Sequence, residues 1–457
     1  MPYQKKDIQA FALKGHGRAN MHCIFISFKK TGKELHPWLS AIVPKLTSID
    51  EQIKSARAYG GGNTGRGGRP FYHLAFTHQG FSKLEELPLD FEKAFEEGMD
   101  APSRRKILND IPSDEWEVPF QQSIDALLVI ADNSKRNLEI IQQQIAISLE
   151  EFGKIVHTEQ GKVLRHLGRS VEHFGYIDGI SQPIFTAEDE LKEETLPIVL
   201  QEEVDGGHGS YLVFRKLAQH VGKFNRKIRV LAKKLNISEG LAGAQVIGRF
   251  KNGKLLTQSD KPWIREFDFG RQEMSSDRTG KRCPFHAHVR KVNPRSREKP
   301  ILIARRGMTY YEKERRQDLL DEPDEGVGIL FMCFQKSIQE QFEFIQQRAN
   351  NARFPKKGVG IDPIIGQNNN PDRAQNWNPT WNKSSENPVV YDFQEVVTLK
   401  GGNYFYAPSL SFLRTIADMP PVSTKAPIPT YANKIYWNLA GGTYNPRQFK
   451  SSAKVIV

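Results

Sequence analysis

The run Ile124-Asp125-Ala126-Leu127-Leu128-Val129-Ile130 restricts the fold more than any other stretch. It is too short for an ordinary core helix and far too short to cross a bilayer, so it suits a buried strand. Residues 8–13, 21–28 and 72–77 read as strands too. Between them, 38–56 places Leu39, Ile42, Val43, Leu46 and Ile49 at helical spacing. Pro44 lies inside that stretch, and a proline costs about 3 kcal/mol in a helix interior. Two short helices parting near Pro44 are therefore predicted. A helix starting at Thr77 and an amphipathic helix over 137–152 complete the alternation. That order predicts an α+β domain with an antiparallel sheet and helices on one face, of the split βαβ kind.

The second half repeats the layout without repeating the sequence. Strands are predicted at 209–215 and 327–334 and from Gly401 to Tyr406, with helices over 216–235, after 236, over 337–350 and over 408–416. Ser337 and Glu340 have the spacing of a capping box. The stretch 354–387, rich in Asn, Pro and Trp, reads as a long loop, 60–70 as a mobile surface loop, and the tail from Met419 as irregular. A chain of 457 residues exceeds one ordinary core. The acidic stretch 191–203 carries few structure signals and marks the boundary. Two domains follow, 1–200 and 201–457.

A net charge of +12 raises the question of nucleic acid. The basic residues are spread out except on 216–235, where Lys223, Arg226, Lys227, Arg229, Lys233 and Lys234 cluster. No finger, RNP or helix-turn-helix signature accompanies them, so the cluster reads as a solvated helix face and no nucleic-acid partner is expected. No apolar run is long enough for a membrane span. No leader is visible at the polar N-terminus, and three widely spaced cysteines, Cys23, Cys283 and Cys333, build neither a disulfide framework nor a zinc pattern. The expected setting is reducing and cytoplasmic, with export or enclosure by another system left open.

Three stretches carry chemistry. Gly175-Tyr176-Ile177-Asp178-Gly179-Ile180-Ser181-Gln182-Pro183 sets one carboxylate between glycines and closes on a proline that fixes φ. It reads as a rigid, shaped loop that aims Asp178; a plain Asx turn is the competing reading. In Cys283-Pro284-Phe285-His286-Ala287-His288-Val289-Arg290, two histidines two apart share a face if the segment is a strand. No third ligand at short spacing supports zinc. Arg305-Arg306-Gly307 follows the apolar run Ile301-Leu302-Ile303.

Together these stretches resemble the dye-decolorising peroxidases. Asp7-Ile8-Gln9, His73-Leu74-Ala75-Phe76-Thr77, Glu97-Gly98-Met99 and Gly401-Gly402-Asn403-Tyr404-Phe405 are also similar to family segments, in the family's order. The resemblance implies two ferredoxin-like α+β domains, with one haem b per chain bound mainly by the C-terminal one. It implies His288 as the proximal iron ligand, with His286 a neighbour of no assigned role. Asp178 and Arg305 would be catalytic, and Gly179 and Arg305 would lie against the haem. Arg306 is the alternative to Arg305, because a one-residue slip turns a strand side chain to the other face. A polar residue two after that arginine in some relatives is Gly307 here. The family's acid behind the ligand is placed at Asp392, before the Gly401-Gly402 strand. The implied activity is reduction of hydrogen peroxide with oxidation of bulky aromatic donors such as dyes and phenols, relayed where needed by an exposed Trp377, Trp381 or Tyr404. A haem-binding or carrier protein with incidental peroxidase activity is the alternative. The sequence sets no oligomeric state.

Overall fold

The computed structural model describes residues 3–58, 69–187, 190–257, 277–294, 301–312, 322–367, 371–381, 383 and 387–419. Residues 60–68 of the glycine-rich loop and the tail from Pro420 lie outside them.

Strands β1 (Asn20–Phe28), β2 (Phe71–Phe76), β3 (Ala126–Asp132) and β4 (Gly153–Lys162) form the first half in the order β4-β1-β3-β2, all antiparallel. Every residue of β3 is buried, as a two-sided apolar run requires. Strands β5 (His208–Gln219), β6 (Met308–Tyr311), β7 (Val327–Gln335) and β8 (Val397–Ala407) form the second half in the order β8-β5-β7-β6. Each half is thus a ferredoxin-like sheet with the same strand order. Helix α1 (Lys135–Leu149) crosses from β3 to β4. After β5 come α2 (Val221–Leu235), α3 (Glu239–Ile247) and the short α4 (His288–Val292). Helix α5 (Phe344–Asn350) crosses from β7 to β8.

The two sheets join at both edges. Tyr406 of β8 pairs with Phe76 of β2, and Tyr310 of β6 pairs with Gly161 of β4. The eight strands therefore close into a ring, which removes these exposed edges. Aromatic rings fill it. Phe25 of β1 meets Phe214 of β5 at 5.0 Å between centroids and Phe405 of β8 at 6.4 Å, although these strands are not neighbours in the sheet.

Several expectations change. Residues 8–13 are not a strand: Ala10–Leu13 is one buried helical turn. Just before it, the Gln9 side chain donates to the Leu74 carbonyl and accepts from the Leu74 N–H, both at 2.9 Å, so an amide side chain takes the place of a backbone partner. Residues 216–219 belong to strand β5 rather than to the helix, because Lys216 is buried against Glu117 at 2.8 Å and Glu159 at 3.0 Å. A charged run marked as helix is here a strand end with its own ion pairs. Chain break at Pro44 is as expected: helix His36–Ile42 gives way to a 3-10 turn, Val43–Lys45, before Ile49–Ala58. Residues 338–343 form a π-helical turn before α5. Ser337 Oγ accepts from Glu340 N–H, but Gln341 Oε1, not Glu340, accepts from Ser337 N–H. The basic face of α2 meets acids: Lys223 pairs with Glu395, Arg226 with Asp324 and Arg229 with Glu322. No helix among the described residues is long and apolar enough to cross a membrane.

Candidate active site

The loop bearing Asp178 follows β4 and a small exposed hairpin, Arg165–His166 with Arg169–Ser170. A bridge between Val171 and Ile177 pinches it shut. Inside, Glu172 N–H donates to Tyr176 O at 3.0 Å and Gly175 N–H to Glu172 O at 2.8 Å. Gly175 sits at φ +88° and Gly179 at φ +76°, positions that favour glycine. The side chain of Asp178 is exposed, and its Oδ1 accepts from Gly179 N–H at 2.6 Å. A Cβ on Gly179 would meet nothing within 4 Å, so backbone conformation rather than crowding calls for glycine there.

Arg305 closes onto this loop. Its N–H donates to Gln182 Oε1 at 3.0 Å, and its guanidinium Nη2 to Ile180 O at 2.8 Å. The next residue, Arg306, faces the other way. It is half-buried and donates to the carbonyls of Phe11 at 2.8 Å, Arg305 at 2.9 Å and Ala12 at 3.1 Å. Burial, with the charge of Arg305, pushes its guanidinium down to about 10. The structure thus brings Arg305 to the Asp178 loop and commits Arg306 to holding the Ala10–Leu13 turn. Gly307 has a packing reason, since a Cβ there would lie 3.1 Å from Leu330 O.

His288 is the first residue of α4, not part of a strand. Residues 285–287 form a turn, with Ala287 N–H donating to Pro284 O at 3.1 Å, so His286 and His288 do not share a strand face. His286 is buried edge-on against Trp377, 4.2 Å between centroids, and burial pushes its imidazole down to about 3. His288 Nδ1 lies 3.0 Å and 3.2 Å from the carboxylate oxygens of Asp362. Asp362 is fully buried. Burial alone would raise its carboxyl; the His288 charge and bonds from His288 and the N–H groups of Ile365 and Ile364 outweigh it and hold it below the usual value. With Nδ1 engaged, Nε2 has no hydrogen bond among the described residues, and the side chain keeps 23% exposure. An imidazole held by a carboxylate on one nitrogen and open on the other suits a haem iron.

The acid behind His288 is therefore Asp362, not Asp392. Asp392 pairs with Arg373 at 2.9 Å. Asp362 stands before Pro363 in a stretch that reads as loop, and its local mark is a carboxylate capping the next two N–H groups. Nothing local ties it to a histidine 74 positions away. Neighbours pin α4 on both sides. Arg290 donates to Asp277 and to Cys283 O, and Lys291 to the carbonyls of Asn351, Phe354 and Gly360.

Two consecutive residues link this helix to the Asp178 loop. A Cβ on Gly248 would lie 3.2 Å from Val289 Cβ, and Arg249 donates to Ser181 Oγ at 2.9 Å. Of the three aromatic residues named as exposed relays, Trp377 and Tyr404 are buried, with Tyr404 Oη bonded to Glu343 at 3.0 Å. Trp381 alone is partly exposed.

The chain as a whole is similar to known proteins. A family model described as Dyp-type peroxidase, C-terminal, matches residues 169–354. The chain is 32% identical over 449 residues to the multifunctional dye peroxidase DyP2 of Amycolatopsis sp., spanning 90% of this chain and 95% of that one. It superposes on a DyP-type peroxidase of Anabaena sp. with a TM-score of 0.80 and 35% identity, covering 90% and 94% of the two chains. A dye-decolorising peroxidase solved with 2,6-dimethoxyphenol matches with a TM-score of 0.73 and 25% identity over 91% of this chain and all of that one.

Proposed function

The chain belongs to the dye-decolorising peroxidases, and on that premise we propose that His288 holds the haem iron while Asp178 and Arg305 act on hydrogen peroxide. The protein is a haem-dependent peroxidase that oxidises aromatic donors. We assign it one haem b per chain, held mainly by the second domain, 201–457, with 1–200 supplying the Asp178 loop. Phenols and dyes are the donor class; the relative solved with a dimethoxyphenol supports the phenols.

A bound haem supplies an iron with an open position that accepts oxidising equivalents from peroxide and passes them to donors. The chain's residues prepare and use it. Asp362 fixes the tautomer of His288 by accepting from Nδ1–H and makes Nε2 a stronger donor to iron. Asp178 takes a proton from one peroxide oxygen and returns it to the departing one. Arg305 stabilises the charge that builds on the departing oxygen. Its two bonds to the loop, through Gln182 and Ile180, keep the guanidinium in place before peroxide arrives. Gly179 keeps the loop's outer face free of a side chain. The observation that carries the reading is the buried Asp362 carboxylate on His288 Nδ1, which orients the imidazole and leaves Nε2 available. A carrier would need His288 but neither Asp178 nor Arg305.

The test is the second-order rate with peroxide, followed by stopped flow across the acidic range, for wild type and Asp178→Asn. Aspartate as a residue type titrates near ~3.9 and histidine near ~6.5, so an aspartate base still works in mildly acidic solution. Wild type is expected to stay fast there, with Asp178→Asn slower by ~10²–10⁴, the usual share of a positioned acid–base group. Equal rates throughout would make Asp178 a turn residue. Asp362→Asn is expected to weaken haem retention by ~10–100-fold, read by haem transfer to a competing apoprotein; unchanged retention would remove Asp362 from the account.

A further inference from the structure

Glu172 has no part in the chemistry above, yet the Asp178 loop is built around it. Its carboxylate accepts the N–H of Phe174 at 2.8 Å and of Tyr176 at 2.9 Å. The chain thus folds over the side chain of the residue that begins the loop. The carboxylate also lies 2.5 Å from Gln219 Nε2, at the end of β5 in the other half of the molecule. We propose that Glu172 is a positioning residue for the peroxide reaction, its carboxyl group setting where Asp178 stands by tying the loop to itself and to Gln219. The inference rests on Asp178 being the proton carrier.

The protonation state follows from the surroundings. Burial pushes the carboxyl up to about 7 against the three hydrogen bonds, and the negative charge of Asp178 adds to the rise. His173 bonds to Tyr310 O and is pushed down to about 4 by burial, so it is neutral. Burial, then the Glu172 charge, raises the Tyr176 phenol far above its usual range, so it is neutral too. His220, next to Gln219, is held by Asp324 O and Thr398 Oγ. Two cations stand on the adjoining turn: Arg249 bonds to Ser181, and Lys251 Nζ lies 6.0 Å from the Tyr176 ring centroid.

In mildly acidic solution Glu172 is therefore a neutral acid. That form explains a second observation. Gln219 Oε1 is buried without a hydrogen-bond partner. With its amide turned over, Oε1 faces the carboxyl at the same short distance and accepts its O–H. The neutral acid then accepts two N–H bonds, donates one, and adds no negative charge beside Asp178. Ionisation near neutrality removes the donated proton and sets a second carboxylate next to the first. Sign follows from linkage: between the ordinary 4.5 and about 7 the folded state holds a proton that the unfolded chain releases, so stability falls as pH rises through that window.

The experiment measures the second-order rate with peroxide between pH 4 and pH 8 (roughly the window set by these carboxyl values) for haem-loaded wild type, Glu172→Gln, Gln219→Leu and Asp178→Asn, with donor KM recorded alongside. Wild type should decline through an inflection near neutrality. Glu172→Gln cannot ionise and loses one of the two N–H bonds, so its rate should be roughly tenfold lower in acid, without that inflection and with donor KM unchanged. Gln219→Leu removes the same contact from outside the loop and should lower the rate in acid while keeping an inflection, displaced from its wild-type position; it decides the matter if Glu172→Gln does not fold. A wild-type profile in both variants, while Asp178→Asn is impaired, overturns the positioning role alone. A silent Asp178→Asn overturns the proton-carrier reading and this inference with it.

Discussion

Replacing His288 by alanine is expected to abolish native haem binding. The substitution removes the only protein atom proposed to bind iron, and leaves Asp362 fully buried with, among the described residues, the Ile364 and Ile365 N–H groups as its donors. Breaking a buried pair from one side typically costs about 3–5 kcal/mol; the partial exposure of His288 places this pair at the low end. The fold should thus weaken as the cofactor is lost. Its pH dependence separates the effects. Asp362 is held below its ordinary 3.8, so the stability it contributes is present above that value and lost as pH falls through the folded one. His288→Ala should flatten that acid limb. The measurements are haem absorbance per protein and denaturant unfolding against pH. Native haem content and spectrum in His288→Ala would remove the ligand assignment, and His286→Ala would be the next variant.

Arg305→Leu should slow the reaction with peroxide by ~10²–10³, the usual cost of one preorganised charge-stabilising donor. Arg306→Leu should leave that rate within a few-fold, because its guanidinium is spent on three carbonyls away from the loop. Instead it should lower stability by on the order of 1–3 kcal/mol, since three half-buried carbonyls lose a charged donor. The pair is therefore a contrast between rate and stability. Stopped-flow traces and urea midpoints on both variants check it. A rate loss confined to Arg306→Leu would reverse the assignment.

How much of this was legible in the sequence depends on how local each signal is. A short apolar run such as Ile124 to Ile130 carries its own answer, and β3 is buried along its whole length. Pro44 likewise breaks its helix by a purely local effect. Lys216 misled because its charge argues for an exposed helix, while its partners, Glu117 and Glu159, lie far away in sequence. Arg305 and Arg306 are the same residue type at adjacent positions; only strand alternation and the partners on each face separate them. Asp392 and Asp362 make the same point from the other side. An acid before a glycine-rich strand looked suitable, but the carboxylate on His288 comes from a stretch with no periodicity. Glu172 gave no signal because its task, accepting N–H groups of its own loop, leaves no mark beyond one acid among glycines.

The most direct measurement is the visible spectrum of purified, haem-loaded protein before and after one equivalent of hydrogen peroxide, then after a phenolic donor. A ferric Soret band that shifts with peroxide and returns with the donor is the predicted result. A protein that takes up no haem, or whose Soret band ignores peroxide, would contradict the account at its centre.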